Sequence, residues 1–133
     1  MERQASWPRS ARSKKRYNCI RMPRYLISFA AHAMDHVADE DMPAVTDASL
    51  AVVREAIDAG VWVFGGGLES QQASIVATDG MVADGPYPEA IGGFCVVDVP
   101  SREEALEWAA KTAVACRCAQ DVREFMPDPT VGS

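Results

Sequence analysis

Ile91-Gly92-Gly93-Phe94-Cys95-Val96-Val97-Asp98-Val99-Pro100-Ser101-Arg102-Glu103-Glu104 holds the two junctions that organise this chain, the end of a strand and the start of a helix. From Ile91 to Val99 the apolar residues occupy both parities, Phe94 and Val96 against Cys95, Val97 and Val99. That is the pattern of a strand buried on both faces. Pro100 has no N–H to give to a ladder and stops the strand. Ser101 and Glu104 then form a capping box, in which hydroxyl and carboxylate each satisfy one orphan backbone N–H of a first helical turn. Beyond it Leu106, Ala109, Ala110 and Ala113 make an apolar stripe, and Glu103, Glu107 and Lys111 occupy the opposite side.

Asp84-Gly85-Pro86 breaks a short strand at Met81-Val82-Ala83, and Asp79-Gly80 predicts a two-residue hairpin turn back to a strand over Ala73 to Thr78. Val61-Trp62-Val63-Phe64 is a further strand, running into Gly65-Gly66-Gly67. Before it, Asp41 and Pro43 mark a helix start and Gly60 a helix end, with Leu50, Val53 and Ile57 beside Val45, Ala48, Val52 and Ala56 at helical spacing. Tyr25-Leu26-Ile27-Ser28-Phe29-Ala30 opens the domain as a strand, and His32 to Asp41 is polar. Downstream, Gln120 to Met126 alternates like an edge strand before Pro127 and Pro129.

The order is β-α-β, a hairpin, then β-α-β, which predicts an α+β domain of ferredoxin-like βαββαβ type, two helices lying on one face of an antiparallel sheet. Strands one, two and four are apolar on both parities, Trp62 and Phe64 being taken together on one side of strand two. Two helices cover only one face. Leaving several large apolar side chains wet costs roughly 1.5 to 3 kcal/mol each, so the pattern predicts a homodimer that pairs sheet faces.

Charge narrows the partners. The chain has 133 residues and a net charge of −6, but eight of its 13 basic residues precede Tyr25. From Tyr25 onward five basic residues face 18 acidic ones, a balance that repels phosphate backbones and argues against nucleic acid. Residues 1–21 are expected to be a disordered basic extension, 22–129 the domain, and 130–133 a short tail. No apolar run approaches the roughly 20 residues of a membrane span. Four cysteines, Cys19, Cys95, Cys116 and Cys118, without a secretory signal point to free thiols in the cytoplasm. The Cys116, Cys118 spacing falls short of a zinc site, and neither metal nor cofactor is expected.

Residues able to carry chemistry are few. His32 and His36, with Asp35 between, offer acid/base capacity, and His32 lies nearer the strand end. Asp84, Tyr87 and Glu89 follow a strand end; two neighbouring carboxylates can separate in pKa and serve as acid and base, although Asp-Gly-Pro is sound turn chemistry by itself. The catalytic candidates are His32, Asp84 and Glu89. Glycines 65 to 67 lack the Lys-Ser/Thr of a phosphate loop and read as a bulge or a place of close approach. Phe64 and Gly66 beside them, together with Ser28 and Tyr87, are the ligand-binding candidates. Ser28 faces opposite Tyr25, Ile27 and Phe29, and no hydrolase motif accompanies it. Trp62 and Trp108 read as core or interface.

Tyr25-Leu26-Ile27-Ser28-Phe29, the triple glycine after Phe64, Asp84-Gly85-Pro86-Tyr87-Pro88-Glu89, Gly92-Gly93-Phe94, Pro100-Ser101-Arg102-Glu103-Glu104-Ala105 and Cys116-Arg117-Cys118 together resemble the YCII-related family, in its DGPF subgroup, over nearly everything after Met22. The resemblance implies a dimeric α/β-barrel. It implies a small-molecule ligand in a barrel cleft, with a cofactor-independent isomerase or lyase and a regulatory partner of an alternative sigma factor as alternatives. Two departures stand out. YCII-like proteins carry a first-helix histidine of a His-Asp pair where this chain reads Ala48-Ser49-Leu50, and only Ala90 and Ile91 separate Glu89 from Gly92.

Overall fold

Proline, glycine and capping residues set the element boundaries. The computed structural model describes residues 23–69, 73–85 and 90–127. Within them run β1 (Arg24–Ala30), α1 (Met42–Asp58), β2 (Trp62–Gly67), β3 (Ser74–Val76), β4 (Val82–Asp84), β5 (Ile91–Asp98), α2 (Arg102–Cys116) and β6 (Asp121–Glu124). A 3-10 turn at Asp39–Asp41 leads into α1, whose first turn holds Pro43 where no N–H is needed. At α2 the Ser101 hydroxyl accepts the Glu104 N–H at 3.2 Å, which is the capping half of the box read from the sequence.

β1, β2, β5 and β6 form one antiparallel sheet in the order β2-β5-β1-β6, the strand order of a ferredoxin-like fold, while β3 and β4 form a separate two-stranded hairpin. Tyr25 lies opposite Val97, and Ile27 opposite Cys95 on one side and Val122 on the other. These residues share the face that the helices cover. Ala56 of α1 and Ala105 and Ala109 of α2 join Tyr25, Ile27, Val97 and Val99 in the core. The helices run antiparallel, tied at the surface by Glu55 to Lys111 at 2.8 Å and Asp41 to Arg117 at 3.5 Å. Exposed pairs of this kind contribute about 0.2 to 1 kcal/mol each.

Several expectations are corrected. The hairpin closes through three residues, Thr78, Asp79 and Gly80: Ala77 N–H donates to the Met81 carbonyl at 2.8 Å, Gly80 N–H to Ala77 at 2.9 Å, and Gly80 takes φ +89°. This is a type I turn followed by a left-handed glycine, which suits strands whose closing pair is Ala77 and Met81 rather than Thr78 and Met81. In α2 the buried residues are Ala105, Ala109, Ala115 and Cys116, with Trp108 and Thr112 half-buried beside them, whereas Leu106 and Ala110 are exposed. Alanine is small enough to let the helix settle on the sheet, and leucine is not. In α1 the inward side is Val45, Ser49, Val52, Val53 and Ala56, with Leu50 and Ile57 exposed.

The largest change is in β2. Trp62 is opposite Val97, but Phe64 is opposite Val96, so a bulge absorbs Val63 and reverses the parity. Trp62 packs on the helix side and Phe64 on the other. Gly65 then comes so close to β5 that a Cβ there would meet the Cα and Cβ of Cys95 at 2.6 Å. The open face carries Leu26, Ser28, Phe64, Phe94 and Val96, bounded at one end by Arg24 and Asp98, whose side chains meet at 2.9 Å. Residues 1–22, 70–72, 86–89 and 128–133, and with them the extension and tail expected at the termini, lie outside the described residues.

Candidate functional site

Small side chains hold the helices tightly on the sheet at one end only. At the other, where α1 begins and α2 finishes, a cavity of about 350 Å³ opens between helices and sheet. Its floor is Ile27, Phe29, Trp62, Cys95 and Val97; α1 contributes Val45, Ser49 and Val53, and α2 contributes Trp108, Thr112 and Cys116. Gln120, in the link to β6, closes one corner, and Met34, Met42, Thr46 and Leu50 stand near the rim. Gly66 and Gly67 complete the wall at the end of β2.

Local sequence explains these positions. Phe29 is opposite Gly93 on β5, and a Cβ would lie 2.6 Å from its ring at Gly92 and 2.9 Å at Gly93. The paired glycines therefore leave room for the ring against β5, where it forms part of the floor. Cys116 ends α2 because Arg117 adopts the left-handed conformation, φ 61°, and Cys118 N–H then closes back on the Ala113 carbonyl at 3.2 Å. This turn, rather than a shared strand, governs where Cys116 and Cys118 point.

No Asp, Glu, His, Lys or Arg lines the cavity among the described residues. Its titratable groups are thiols. Burial, helped by nearby Cys116, pushes the Cys95 thiol up to about 12, so it stays neutral at physiological pH. Burial also raises Cys118, beside Cys116, while a hydrogen bond from Gln120 pulls the other way. The hydrogen-bond donors of Ser49, Thr112 and Gln120 are spent within the wall. Ser49 Oγ donates to the Val45 carbonyl at 2.8 Å, Thr112 Oγ1 to the Trp108 carbonyl at 2.9 Å, and Gln120 Nε2 to the Cys118 carbonyl at 3.3 Å. Such a pocket suits an uncharged guest, because a buried charge without a partner is costly.

The residues singled out from sequence fall in different places. Gly66, Trp62 and Trp108 line the cavity. Ser28 and Phe64 stand on the open face, where the Phe64 and Phe94 rings tilt together at 5.9 Å between centroids. Ser28 is buried and its Oγ has no hydrogen-bond partner among the described residues. His32 is exposed on the turn after β1, with Nδ1 at 3.0 Å from Asp35 Oδ2. Asp84 is exposed in the hairpin and accepts from Ser74 Oγ at 3.3 Å. Neither lines the cavity, so the structure does not bring these two together there. Tyr87 and Glu89 lie outside the described residues. Phe29, Ser49, Cys95, Thr112, Cys116 and Gln120 also line the cavity, and nothing in their local sequence motifs sets them apart as ligand-facing. The available signal was a polar residue interrupting the inward stripe of each helix, Ser49 in α1 and Thr112 in α2.

A family model for the YCII-related domain matches residues 27–125. The chain belongs to the YCII-related domain family. No curated protein matches it. In this YCII-related chain the matched span contains every residue that lines the cavity. Among the described residues no group of three or more His, Cys, Asp or Glu side chains is arranged to hold a metal ion, and no helix is long and apolar enough to cross a membrane.

Proposed function

We propose that this YCII-related protein binds an uncharged, mainly apolar or aromatic small molecule between its two helices and its sheet. The observation that carries the reading is the cavity of about 350 Å³ with aromatic and aliphatic walls and no charged side chain among its described lining. Ligand pockets run from roughly 300 to 1,000 Å³, and an apolar hole of roughly 150 Å³ holds a benzene, so a molecule of one or two rings matches the space. Binding is favoured over proton-transfer catalysis because the cavity offers only thiols, and Cys95 is held neutral. Ser49 stands in the stretch where the resemblance implies a histidine. Thermal shift with p-cresol and indole against benzoate and benzylamine tests the reading. The neutral molecules are expected to raise the melting temperature and the charged ones to leave it unchanged, since a ligand selective for the native state stabilises it by mass action. A response to benzoate or benzylamine alone, or to none of the four, contradicts it.

The open face supports pairing with a second copy of the chain. Phe64 is 59% exposed beside Phe94, and an apolar sheet face of this kind is a common basis for association. In this reading the protein is a dimeric α/β-barrel of the DGPF subgroup, the latter resting on Asp84-Gly85-Pro86 and the neighbouring motifs, and the free thiols of Cys95, Cys116 and Cys118 fit a cytoplasmic setting. Sedimentation at micromolar concentration is expected to give a dimer; a monomer contradicts the pairing.

A further inference from the structure

The walls of the cavity also carry information about which neutral molecules fit. Ser49, Thr112, Cys116 and Gln120 form one polar corner: Ser49 Oγ lies 3.5 Å from Cys116 Sγ across the two helices, Thr112 stands one turn before Cys116, and Gln120 follows the α2 end. Each spends its hydrogens inside the protein. The Ser49 O–H goes to the Val45 carbonyl, so in the Ser49–Cys116 contact the thiol is the donor and the Ser49 oxygen the acceptor. The Thr112 O–H goes to the Trp108 carbonyl. These bonds to the carbonyl four residues back are a common way for helix-interior Ser and Thr to settle their protons. The Gln120 amide is oriented by chemistry, because the Cys118 carbonyl accepts only and must face the NH₂ end. A second contact, from Gln120 Nε2 to Cys118 Sγ at 3.5 Å, occupies the same end.

What remains unspent at this corner is acceptor capacity: a lone pair on Ser49 Oγ, those of Thr112 Oγ1, and the Gln120 carbonyl oxygen. Trp62 and Trp108 also line the cavity, and each carries one indole N–H. Thr46, at the rim, is exposed. We infer that the ligand carries a hydrogen-bond donor, a hydroxyl or N–H on an otherwise apolar ring, and that this group seats against Ser49, Thr112 and Gln120. The inference rests on the binding reading above and specifies its ligand class. An acceptor-only molecule of the same shape would set lone pairs against lone pairs and lose the hydrogen bonds it makes to water.

A cycle of two ligands and several proteins tests it. The affinities of p-cresol and p-xylene, nearly equal in shape but differing by one O–H donor, are measured by calorimetry on the full chain, wild type and the single variants Gln120→Met, Ser49→Ala and Thr112→Val. Comparing the cresol-to-xylene ratio between proteins cancels the difference in hydrophobicity. A net hydrogen bond of ordinary strength corresponds to about fivefold, so at least one variant is expected to shift the ratio about fivefold toward xylene. Should one variant fail to fold, the other two carry the comparison. If both ligands bind and the ratio stays unchanged in the folded variants, the donor inference is overturned while the binding reading stands. If neither ligand binds wild type, the binding reading fails and takes this inference with it.

Discussion

The two faces of the central sheet come from the same strands, yet they have been treated differently by the rest of the chain. On the helix side, Tyr25, Ile27, Val97 and Val99 are buried, and small residues bring α1 and α2 into contact with them at one end while a cavity remains at the other. On the opposite side, Leu26, Phe94 and Val96 alternate with those residues, Ser28 has a hydroxyl with no hydrogen-bond partner among the described residues, and Phe64 stands out into solvent. A one-residue step along β1 or β5 thus moves a side chain from the helix-covered face to the opposite one, where Ser28 and Val96 are still buried and Phe64 is the exposed residue. The difference leaves the domain with two distinct features, an internal apolar cavity under the helices and an external sheet face from which Phe64 protrudes.

The largest expected effect lies in the neighbouring pair Ile27 and Leu26. Ile27 is 1% exposed, and Ile27→Ala is expected to destabilise by about 2 kcal/mol, the lower end of the ~2–5 kcal/mol range, because part of its surroundings is already cavity. Leu26→Ala should cost clearly less in dilute protein. Urea denaturation of both variants measures the difference. Under the proposed pairing the Leu26 cost should grow as protein concentration rises, and a Leu26 cost independent of concentration would contradict pairing through this face.

Alkaline stability separates the faces next. The Cys95 thiol, on the helix side, is raised to about 12 by burial, while in the unfolded chain it ionises near its ordinary value of 9.0. A group whose folded pKa is raised stabilises the native state fully below the unfolded pKa, and that contribution is lost as pH rises toward the folded one. The melting temperature should therefore fall between about pH 9 and 12, and Cys95→Ala should show a shallower fall across that window. Parallel curves for the two proteins would contradict the burial of this thiol.

Ser28→Ala, on the open face, should have the smallest effect. Its hydroxyl has no hydrogen-bond partner among the described residues, so removing it should relieve a desolvation cost rather than break a bond, and stability is expected to hold or to rise by up to about 1 kcal/mol. A loss of stability would reveal a partner for that oxygen on the open face.

Much of this architecture was legible in the residues themselves. Strand β5, the Ser101 cap and the ferredoxin-like order follow from two-sided apolar runs, proline stops and a hydroxyl at the right spacing. The orientation of β2 was not, because a bulge inserts one residue without any compositional mark and sends Phe64 to the side opposite Trp62. The α2 stripe was misplaced for a related reason. Leu106 with Ala110 and Ala105 with Ala109 are both apolar at helical spacing, and only the close approach of helix to sheet selects the smaller pair. The cavity was hidden because Ser49, Thr112 and Gln120 look like surface residues until their hydrogen bonds are counted. The sequence candidates His32 and Asp84 drew attention as titratable groups, and both stand in solvent with local partners.

The methyl groups of Ile, Leu and Val lie on both faces of the sheet and report which one receives a ligand. In a methyl NMR titration of the full chain with p-cresol, Ile27, Val45, Val53 and Val97 are expected to shift while Leu26 and Val96 stay still. Shifts at Leu26 and Val96 with Ile27 and Val97 unmoved would put the small molecule on the open face and contradict the internal cavity as the binding site.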